Sequence, residues 1–364
     1  MTRIKHWMRK SFWLDGFWIT ALSVLLSLTL YLIGLSFSIF DPLGSALENF
    51  HLSDGFFYAH NNNRNPVPNE GVVIVDIADC DSRGEIAEIV NRISAANPKV
   101  LAVDIIFGPA SSLDKNTDSL LVSSFQNCKA NIVLARNAGI HSFFADELPC
   151  LEGDVSLEYG MVRTFSIKDS FVGAIMEAAD QETSDSKSVY LVDYTSAITP
   201  IYTPEQAFTR EGLEGRIVIL GDNSDLRDFH RIPTEIQGIN TAPGTMIYAQ
   251  ELYTLLNGRR FVELPKFLNV LLAFIFVWLF ASLVCAPLKG HDCKFDNLQM
   301  NVLQFASAIL LFGLAYFIFW WFNLNLSLAW ALIGFTIVGI ATEFFVWIRC
   351  WEIWKPKKIN NETV

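Results

Sequence analysis

The chain has 364 residues and a formal net charge of −11, with 51% hydrophobic, 13% aromatic and 18% charged residues. This composition excludes an intrinsically disordered chain, which would be poor in hydrophobic residues, and a collagen-like chain, which would need a regular glycine repeat. The mean hydropathy of +0.31 is typical of a protein that combines membrane-spanning helices with a globular domain.

Four apolar runs are long enough to cross a membrane, because a transmembrane helix needs about 20 consecutive apolar residues. In chain order the runs are Phe17–Ser36, Phe267–Ala286, Val302–Phe322 and Leu328–Ile348. The first run has no convincing small-residue cleavage site, so we interpret it as a retained anchor and not as a signal peptide. The chain thus divides into an N-terminus with the first span, a globular domain, three further spans and a short tail, with the boundaries 1–40, 41–262, 263–349 and 350–364.

Lysine and arginine residues cluster before the first span, between the second and third spans, and after the fourth span. The clusters consist of Arg3, Lys5, Arg9 and Lys10, of Lys289 and Lys294, and of Arg349, Lys355, Lys357 and Lys358. In a four-span chain all three clusters lie on one side of the membrane, and cytoplasmic segments are enriched in these residues. We therefore predict a multi-pass protein of the bacterial inner membrane, with both termini in the cytoplasm and the globular domain in the periplasm.

The globular domain is strongly acidic. Residues 41–262 hold about 31 acidic and 16 basic side chains, which gives this part of the chain a net charge of about −15. Such an excess of negative charge argues against binding to nucleic acid or to anionic lipid. Cations, neutral ligands and basic surfaces of other proteins remain as binding partners.

Predicted strands alternate with predicted helices in this domain. Val72–Ile77 is too short for a helix and apolar on both faces, as expected of a buried parallel strand. The further strands are Val100–Ile105, Asn131–Ala135 and Arg216–Gly221, and the helices are Gly84–Ala96, Leu113–Phe125 and Thr245–Asn257. This order predicts right-handed crossovers and a mostly parallel sheet. The predicted fold class is α/β, an extracytoplasmic doubly wound three-layer sandwich, together with four transmembrane helices.

The segment Asn137–Tyr202 is harder to interpret. Within it, Val189–Val192 is predicted as a strand and Gly173–Ala179 as a helix. Thr203 and Pro204, which follow, have the residue types of a helix N-cap and a first helical position.

Several motifs of the globular domain resemble one known family. They are Asp54 after a hydrophobic segment, VVIVDI at 72–77, VLAVDIIF at 100–107, and RIVILGDNSDLRDFHRIPTEIQGINTAPGTMIYAQELYTLLNGRR at 216–260. These motifs resemble the type-two CHASE sensor domain, the extracytoplasmic module of cyclase- and histidine-kinase-associated receptors. The resemblance covers about residues 41–262 and extends to the arrangement of one N-terminal and three C-terminal spans.

The resemblance implies a role in signal transduction. In that family a cytoplasmic kinase, cyclase or similar effector domain normally follows the last span, whereas only a short tail follows Ile348 in this sequence. We therefore expect the effector to be a separate protein.

Acidic residues follow the predicted parallel strands. In an open α/β sheet the ligand crevice lies beyond the carboxyl ends of the strands. The candidate ligand-binding residues at this edge are Asp76, Asp79, Asp104, Asp222, Asp228 and His230. One interpretation is a site for a small molecule or for a hard cation, since calcium and magnesium take oxygen ligands. The other is that these carboxylates cap helices and order loops, with Arg227 or Arg231 neutralising some of them.

Catalytic motifs are absent from the sequence. It contains no nucleophile elbow, no phosphate-binding loop, no HExxH zinc motif and no dinucleotide-binding fingerprint. Most of the six histidine residues are isolated, so a zinc site is not expected. We predict a protein that is not an enzyme, has no catalytic residues and needs no metal or cofactor.

Three cysteine residues lie in the globular domain, where disulfides can persist. Cys128 and Cys150 lie on either side of the third strand and form the candidate disulfide. An arrangement of three buried thiols that includes Cys80 fits the sequence equally well.

Glu343 is the unusual residue of the last span. A carboxylate within the hydrocarbon region is costly, so Glu343 either contacts a partner helix or another span, or reaches toward the cytoplasmic interface near Arg349. Together with Trp351 and Trp354 of the following segment, Glu343 is the candidate contact to another protein.

Two functions fit the sequence. The first is a sensor or regulatory subunit, whose outer domain reads an envelope signal and passes it through the spans to a separate effector. The alternative is a structural or assembly subunit of an envelope complex, which uses the α/β domain as a docking surface. The predicted partners are the membrane and a separate effector or complex subunit, with a homo-oligomer left open and nucleic acid excluded.

Overall fold

The structure, a computed structural model, describes residues 10–36, 51–61, 67–109, 115–158, 160–181, 189–194, 197–204, 210–236, 239–257, 260–285 and 297–353. The chain forms two compact units, which we call the α/β unit and the helical unit. The α/β unit is Ser53–Glu263, and the helical unit is Met1–Leu52 with Leu264–Val364.

The strands are β1 (Val67–Pro68), β2 (Val72–Asp76), β3 (Val100–Val103), β4 (Asn131–Arg136), β5 (Leu151–Asp154), β6 (Thr164–Ser166), β7 (Val189–Leu191), β8 (Ala197–Ile198), β9 (Ile201–Tyr202), β10 (Ile217–Gly221), β11 (Phe229–Ile236), β12 (Ile239–Pro243), β13 (Phe261–Glu263) and β14 (Leu324–Asn325). The helices are α1 (Lys10–Ser36), α2 (Leu52–Asn61), α3 (Arg83–Ala95), α4 (Lys115–Gln126), α5 (Phe171–Ala178), α6 (Arg210–Leu213), α7 (Gly244–Leu256), α8 (Lys266–Phe280), α9 (Asn297–Phe322) and α10 (Ala329–Ile353). Short 3-10 helices occur at Ala145–Glu147 and Leu226–Asp228, and a π-helical turn, Ala281–Cys285, continues α8.

Six parallel strands form the central sheet of the α/β unit, in the order β5-β4-β3-β10-β2-β9. Strand β10 lies between β2 and β3, so that Ile219 is in register with both Ile74 and Ala102. The residues 72–75 are all buried, because helices cover both faces of the sheet. The predicted α/β class with a mostly parallel sheet is therefore confirmed.

The two faces of the sheet belong to two separate hydrophobic clusters. Val73 and Val75 pack in the cluster that contains the buried sides of α3 and α4. Val72 and Ile74 pack in the cluster that contains α5 and α7. Because successive side chains of a strand point to opposite faces, this division places one helical layer on each side of the sheet.

Some elements differ from the sequence prediction. The edge strands β5 and β9 are not predicted, because β5 has the sequence Leu-Glu-Gly-Asp and β9 has only two residues. Strand β7 is predicted, but it lies in a second, antiparallel sheet, between β6 and β13. Thr203 and Pro204 lie in a loop and a turn after β9, and residues 205–209, where the predicted helix would continue, are outside the described residues.

Four helices are long and apolar enough to cross a membrane, and they agree with the four predicted spans. Their apolar stretches are Trp13–Leu30, Lys266–Cys285, Asn301–Phe322 and Ala329–Ile348. Helices α1 and α8 pack closely, with Nε1 of Trp278 donating a hydrogen bond to the carbonyl oxygen of Trp13 at 3.2 Å. A Cβ atom at Gly334 would lie 2.6 Å from Val277, so glycine permits the close approach of α8 and α10.

The turn between α9 and α10 is hydrogen-bonded to the start of α8. The backbone N–H of Leu264 donates to the carbonyl oxygen of Asn325 at 3.4 Å, and the N–H of Ser327 donates to Oδ1 of Asn269 at 3.2 Å. Nδ2 of Asn269 donates in turn to the carbonyl oxygen of Leu264 at 2.9 Å. The turn and the start of α8 therefore lie at the same end of the helical unit, as a four-span arrangement requires.

Candidate functional site

The carboxyl ends of the neighbouring strands β2, β10 and β3 meet at one edge of the central sheet. We call this region the polar edge and define it by Asp76, Asp104, Asp222, Asn223, Asp228, His230 and Gly244. Its residues come from the loops after the three strands, from β11 and from the start of α7.

Asp76 joins two loops of the polar edge. It is the last residue of β2 and lies in register with Gly221 at the end of β10. Its Oδ1 atom accepts hydrogen bonds from the backbone N–H groups of Ala78 and Asn223, both at 3.0 Å. The Asp76 carboxylate therefore fixes the loop after β10 to the loop after β2.

Asp228 occupies the N-terminus of α7. Its Oδ2 accepts a hydrogen bond from the N–H of Gly244 at 3.0 Å, and its Oδ1 lies 3.4 Å from Nε2 of His230. A Cβ atom at Gly244 would lie 2.7 Å from Oδ2, so any larger residue would displace the Asp228 carboxylate. A carboxylate at a helix N-terminus is stabilised by the unpaired N–H groups and the helix dipole. The chain thus supplies its own anion at this position.

Asp104 differs from its neighbours. No described residue donates a hydrogen bond to its carboxylate, and burial, followed by the negative charge of Asp228, raises its pKa to about 7. A Cβ atom at Gly221 would lie 3.3 Å from Cβ of Asp104 and 2.5 Å from Thr245, which shows how closely β3, β10 and α7 approach here. The Asp104 carboxyl can therefore change its protonation near neutral pH.

The Asn223 side chain carries a second polar group that has no hydrogen-bond partner among the described residues. Its Oδ1 accepts a hydrogen bond from the Thr245 hydroxyl, whereas its Nδ2 is buried without a hydrogen-bond partner. A buried donor without a partner loses its bond to water, at a cost of about 1–3 kcal/mol. Asp104 and Asn223 are thus the groups of the polar edge that could bind a ligand.

The other carboxylates near this edge have local roles or none. Asp222 accepts hydrogen bonds from the N–H and the hydroxyl of Ser224 at 2.7 and 2.9 Å. Asp225 forms a paired contact with the Arg227 guanidinium at 3.0 and 2.8 Å, and the hydrogen bonds from Arg227 lower its pKa to about 2. Asp79 is exposed in the turn after β2. These contacts correspond to the loop-ordering interpretation.

A metal site is not formed at this edge by the residues that the structure describes. Among them, no group of three or more His, Cys, Asp and Glu side chains is placed to hold a metal ion. The structure brings Asp104, Asp228 and His230 together, but it directs the carboxylates of Asp76 and Asp222 to backbone N–H groups.

Asp54, one of the family motif residues, has a structural contact. Its carboxylate accepts from Nε and Nη2 of Arg163 at 3.0 and 2.9 Å. The two side chains are 23% and 10% exposed, so the pair is largely removed from water. The contact fixes α2 to the segment before β6. Its loss would be costly, because removing one partner of such a pair leaves a buried charge unpaired.

Helix α7 also carries two candidate functional residues, Tyr248 and Glu251, that the sequence patterns do not indicate. The hydroxyl of Tyr248 donates to the carbonyl oxygen of Val155 at 2.6 Å. The Glu251 side chain is 3% exposed, and its Oε1 has no hydrogen-bond partner. Burial, and then the charge of Glu158, raises the pKa of Glu251 well above its usual range. The sequence signal is a carboxylate inside the apolar stretch of α7, whose neighbours Ala249 and Leu252 are buried.

Both residues line a cavity of about 260 Å³, which we call the acidic cavity. It lies between α5, α7 and the segment 154–166. Its acidic lining residues are Asp154, Glu158 and Glu251.

The predicted disulfide is not formed. Cys80, Cys128 and Cys150 are free thiols, and all three are partly buried against the cluster that contains α3 and α4. The thiol of Cys150 donates to the carbonyl oxygen of Ala145 at 3.7 Å. The prediction of a Cys128–Cys150 disulfide is therefore wrong for this structure, because position along the chain does not fix the distance between two thiols.

Two of the candidate partner-contact residues, Glu343 and Trp351, lie in α10. The Glu343 side chain is exposed, and no described residue forms an ion pair or hydrogen bond with it. Among the described residues, no other span offers Glu343 a hydrogen bond or an ion pair, and its role as a partner contact stays a prediction. The side chain of Trp351 and the whole of Trp354 lie outside the described residues.

Comparison with known proteins identifies one family. The family model of the CHASE2 domain matches residues 19–284, which is more than half of the chain and confirms the resemblance found in the sequence. No curated protein and no solved structure matches the chain. CHASE2 is an extracellular sensor domain and not a catalytic one. The chain also has four helices that are apolar enough to span a membrane. Together, the family and the helices indicate a multi-pass membrane protein in signal transduction.

Proposed function

Because the chain belongs to the CHASE2 domain family, we propose that it is a sensor or regulatory subunit of the bacterial inner membrane. Its residues 41–262 form the extracytoplasmic sensor domain, residues 1–40 and 263–349 carry the four spans, and both termini are cytoplasmic, with 350–364 as the tail. The distribution of lysine and arginine supports this orientation. The hydrogen bonds between the turn after α9 and the start of α8 agree with the four-span arrangement, which either orientation would preserve.

The polar edge is the proposed site of signal binding. Asp104 and Asn223 support this assignment, because their polar groups have no hydrogen-bond partner among the described residues. A ligand there needs a hydrogen-bond acceptor for Nδ2 of Asn223 and a polar group that interacts with the Asp104 carboxyl.

The output passes through the spans to a separate effector protein. The observation that carries this proposal is the exposure of Glu343 on α10. A carboxylate that faces lipid costs several kcal/mol, whereas one that faces a polar group of a partner helix is stabilised. We therefore assign the surface around Glu343 to the effector, with Trp351 and Trp354 at its cytoplasmic end.

A docking role remains the second candidate. It is supported by Leu226, which is 82% exposed beside the polar edge. An assembly subunit would use this exposed side for another envelope protein and would hold its partner independently of any ligand.

Co-purification from native membranes in a mild detergent tests the effector proposal. The replacement Glu343→Leu should reduce the amount of the retained partner about tenfold or more, since it removes the polar contact within the membrane. Thr29→Leu is the matched control, because it also replaces an exposed polar residue of a span, on α1, by leucine. Recovery of the chain without any other protein, or equal retention by both variants, would contradict a separate effector held at Glu343.

A further inference from the structure

The acidic cavity lies along α7 and is distinct from the polar edge. Its walls come from α5, α7 and the segment that includes β6. Asp154, Glu158 and Glu251 line it, and no lysine, arginine or histidine does so among the described residues. The cavity therefore has a negative potential that repels anions and attracts cations.

Glu251 is the reason to expect a ligand and not an empty space. Its side chain is 97% buried, since only 3% is exposed, and Oε1 has no donor. A buried acceptor without a donor is costly whether or not the carboxyl carries a proton, because its bond to water has been lost. Because the Glu251 side chain also lines the cavity, a hydrogen-bond donor bound in the cavity can supply the missing partner.

The two other carboxylates accept hydrogen bonds from the chain but have no basic lining residue to balance their charge. Oδ1 of Asp154 accepts from the N–H of Ser156 at 2.8 Å. Hydrogen bonds from the side chain and the backbone of Ser156 lower the Asp154 pKa, so this group is charged at neutral pH. Oε1 of Glu158 accepts from the Thr164 hydroxyl at 2.8 Å, and its Oε2 accepts from the N–H groups of Arg163 and Thr164, both at 3.4 Å. Neither carboxylate forms an ion pair with a basic side chain that lines the cavity.

Aromatic rings form the apolar part of the lining. The rings of Phe171 and Tyr248 meet edge to face, with their centroids 5.2 Å apart. Their faces and edges can contact methylene groups, and aromatic rings also attract a cation. The lining thus combines carboxylate oxygens, which accept hydrogen bonds, with an apolar wall of aromatic rings.

We propose that the acidic cavity binds a small organic cation with a primary ammonium group. The ammonium group supplies three N–H donors, one of which can satisfy Oε1 of Glu251, and its charge balances the lining carboxylates. A quaternary ammonium ion lacks these donors. The volume of about 260 Å³ is below the roughly 300–1,000 Å³ of sites for drug-sized molecules, so the ligand is a short alkylamine or diamine.

This proposal concerns a second site and goes beyond the sensing role proposed above. Binding of an amine is measured on the purified chain without an effector. Loss of amine binding would therefore leave the effector proposal intact, and loss of the effector would leave amine binding intact.

Isothermal titration of the full chain in lipid nanodiscs at pH 7 tests the proposal, with butylamine and 1,4-diaminobutane as probes. Both amines should show saturable binding, whereas 1-butanol and tetramethylammonium should show none or bind at least tenfold more weakly. Glu251→Gln should weaken amine binding at least tenfold, since a bound ammonium group favours the ionised carboxylate and glutamine cannot ionise. Glu88→Gln, an exposed carboxylate of α3 on the opposite face of the sheet, is the matched control and should leave the affinity unchanged.

Glu158→Gln provides a second variant at the exposed side of the cavity, should Glu251→Gln fail to fold. It should weaken amine binding several-fold. Absence of saturable amine binding to the unchanged chain would overturn the proposal. Amine affinities that are equal in the unchanged chain and in whichever of the two cavity variants folds would also overturn it.

Discussion

The polar edge and the acidic cavity lie along the same helix, α7, and both contain carboxylates. The two sites differ in the hydrogen-bond donors that the chain supplies to these carboxylates. At the polar edge, Asp76 and Asp228 accept hydrogen bonds from backbone N–H groups. In the acidic cavity, Oε1 of Glu251 has no donor among the residues that the structure describes. The difference teaches that a cluster of acidic residues indicates a binding site only after the donors supplied by the chain itself have been counted.

Asp104 is the exception within the polar edge, and its titration should give the largest effect. In the folded protein its carboxyl holds a proton up to about pH 7, whereas in the unfolded chain it loses the proton near pH 4. Its contribution to stability is therefore fully present below about pH 4 and is lost as the pH rises through about 7. The total loss is roughly 2–4 kcal/mol, from 1.36 kcal/mol per pKa unit with a reduction for partial exposure.

The replacement Asp104→Asn should remove this pH dependence. Thermal unfolding of the full chain at pH 5 and pH 8 measures it, and the variant should gain stability relative to the unchanged chain at the higher pH. Asp79→Asn is the control, because Asp79 is exposed on the same side of the sheet. A pH profile of Asp104→Asn that equals the profile of the unchanged chain would show that Asp104 is not protonated in the folded state.

The next largest effect on stability is expected at Asp76, whose carboxylate joins two loops. Asp76→Ala leaves the N–H groups of Ala78 and Asn223 without their acceptor, which should cost about 1–3 kcal/mol of stability. Asp79→Ala removes a carboxylate from the same segment without removing a hydrogen bond and should change the unfolding midpoint little. Equal midpoints for the two variants would mean that Asp76 does not hold the loops together.

Much of the fold could be predicted from the sequence because its signals are local. The strands β2 and β3 are continuous apolar runs, and the spans are apolar over their whole length. The edge strands β5 and β9 could not be predicted, since they are short and β5 contains Glu152 and Asp154.

The sites were less predictable, because they depend on contacts between distant segments. The sequence indicates which carboxylates follow the strands, but not that Asp228 is held by the N–H of Gly244, sixteen positions later. The acidic cavity joins the segments around Asp154, Phe171 and Glu251, which only the folded chain brings together. The distance between Cys128 and Cys150 could not be read from their positions either.

The pair Asp225 and Arg227 predicts the smallest effect. Both side chains lie at the surface of the loop after β10, with Arg227 91% exposed. Exposed ion pairs contribute little, since water and salt screen them. Asp225→Asn should therefore leave the unfolding midpoint of the full chain unchanged within error at 150 mM salt, and a clear loss of stability would show that this loop supports the polar edge.

The position of the α/β unit relative to the membrane is the central claim, since a sensor of an envelope signal must face the envelope. A reporter enzyme that is active only outside the cytoplasm tests it directly, in three separate fusions within residues 180–188, at residue 292 and after residue 358. We predict activity for the first fusion and none for the other two, because the basic clusters keep these two positions inside. Activity at residue 292 or after residue 358, or an inactive but stably produced fusion within residues 180–188, would contradict the four-span sensor.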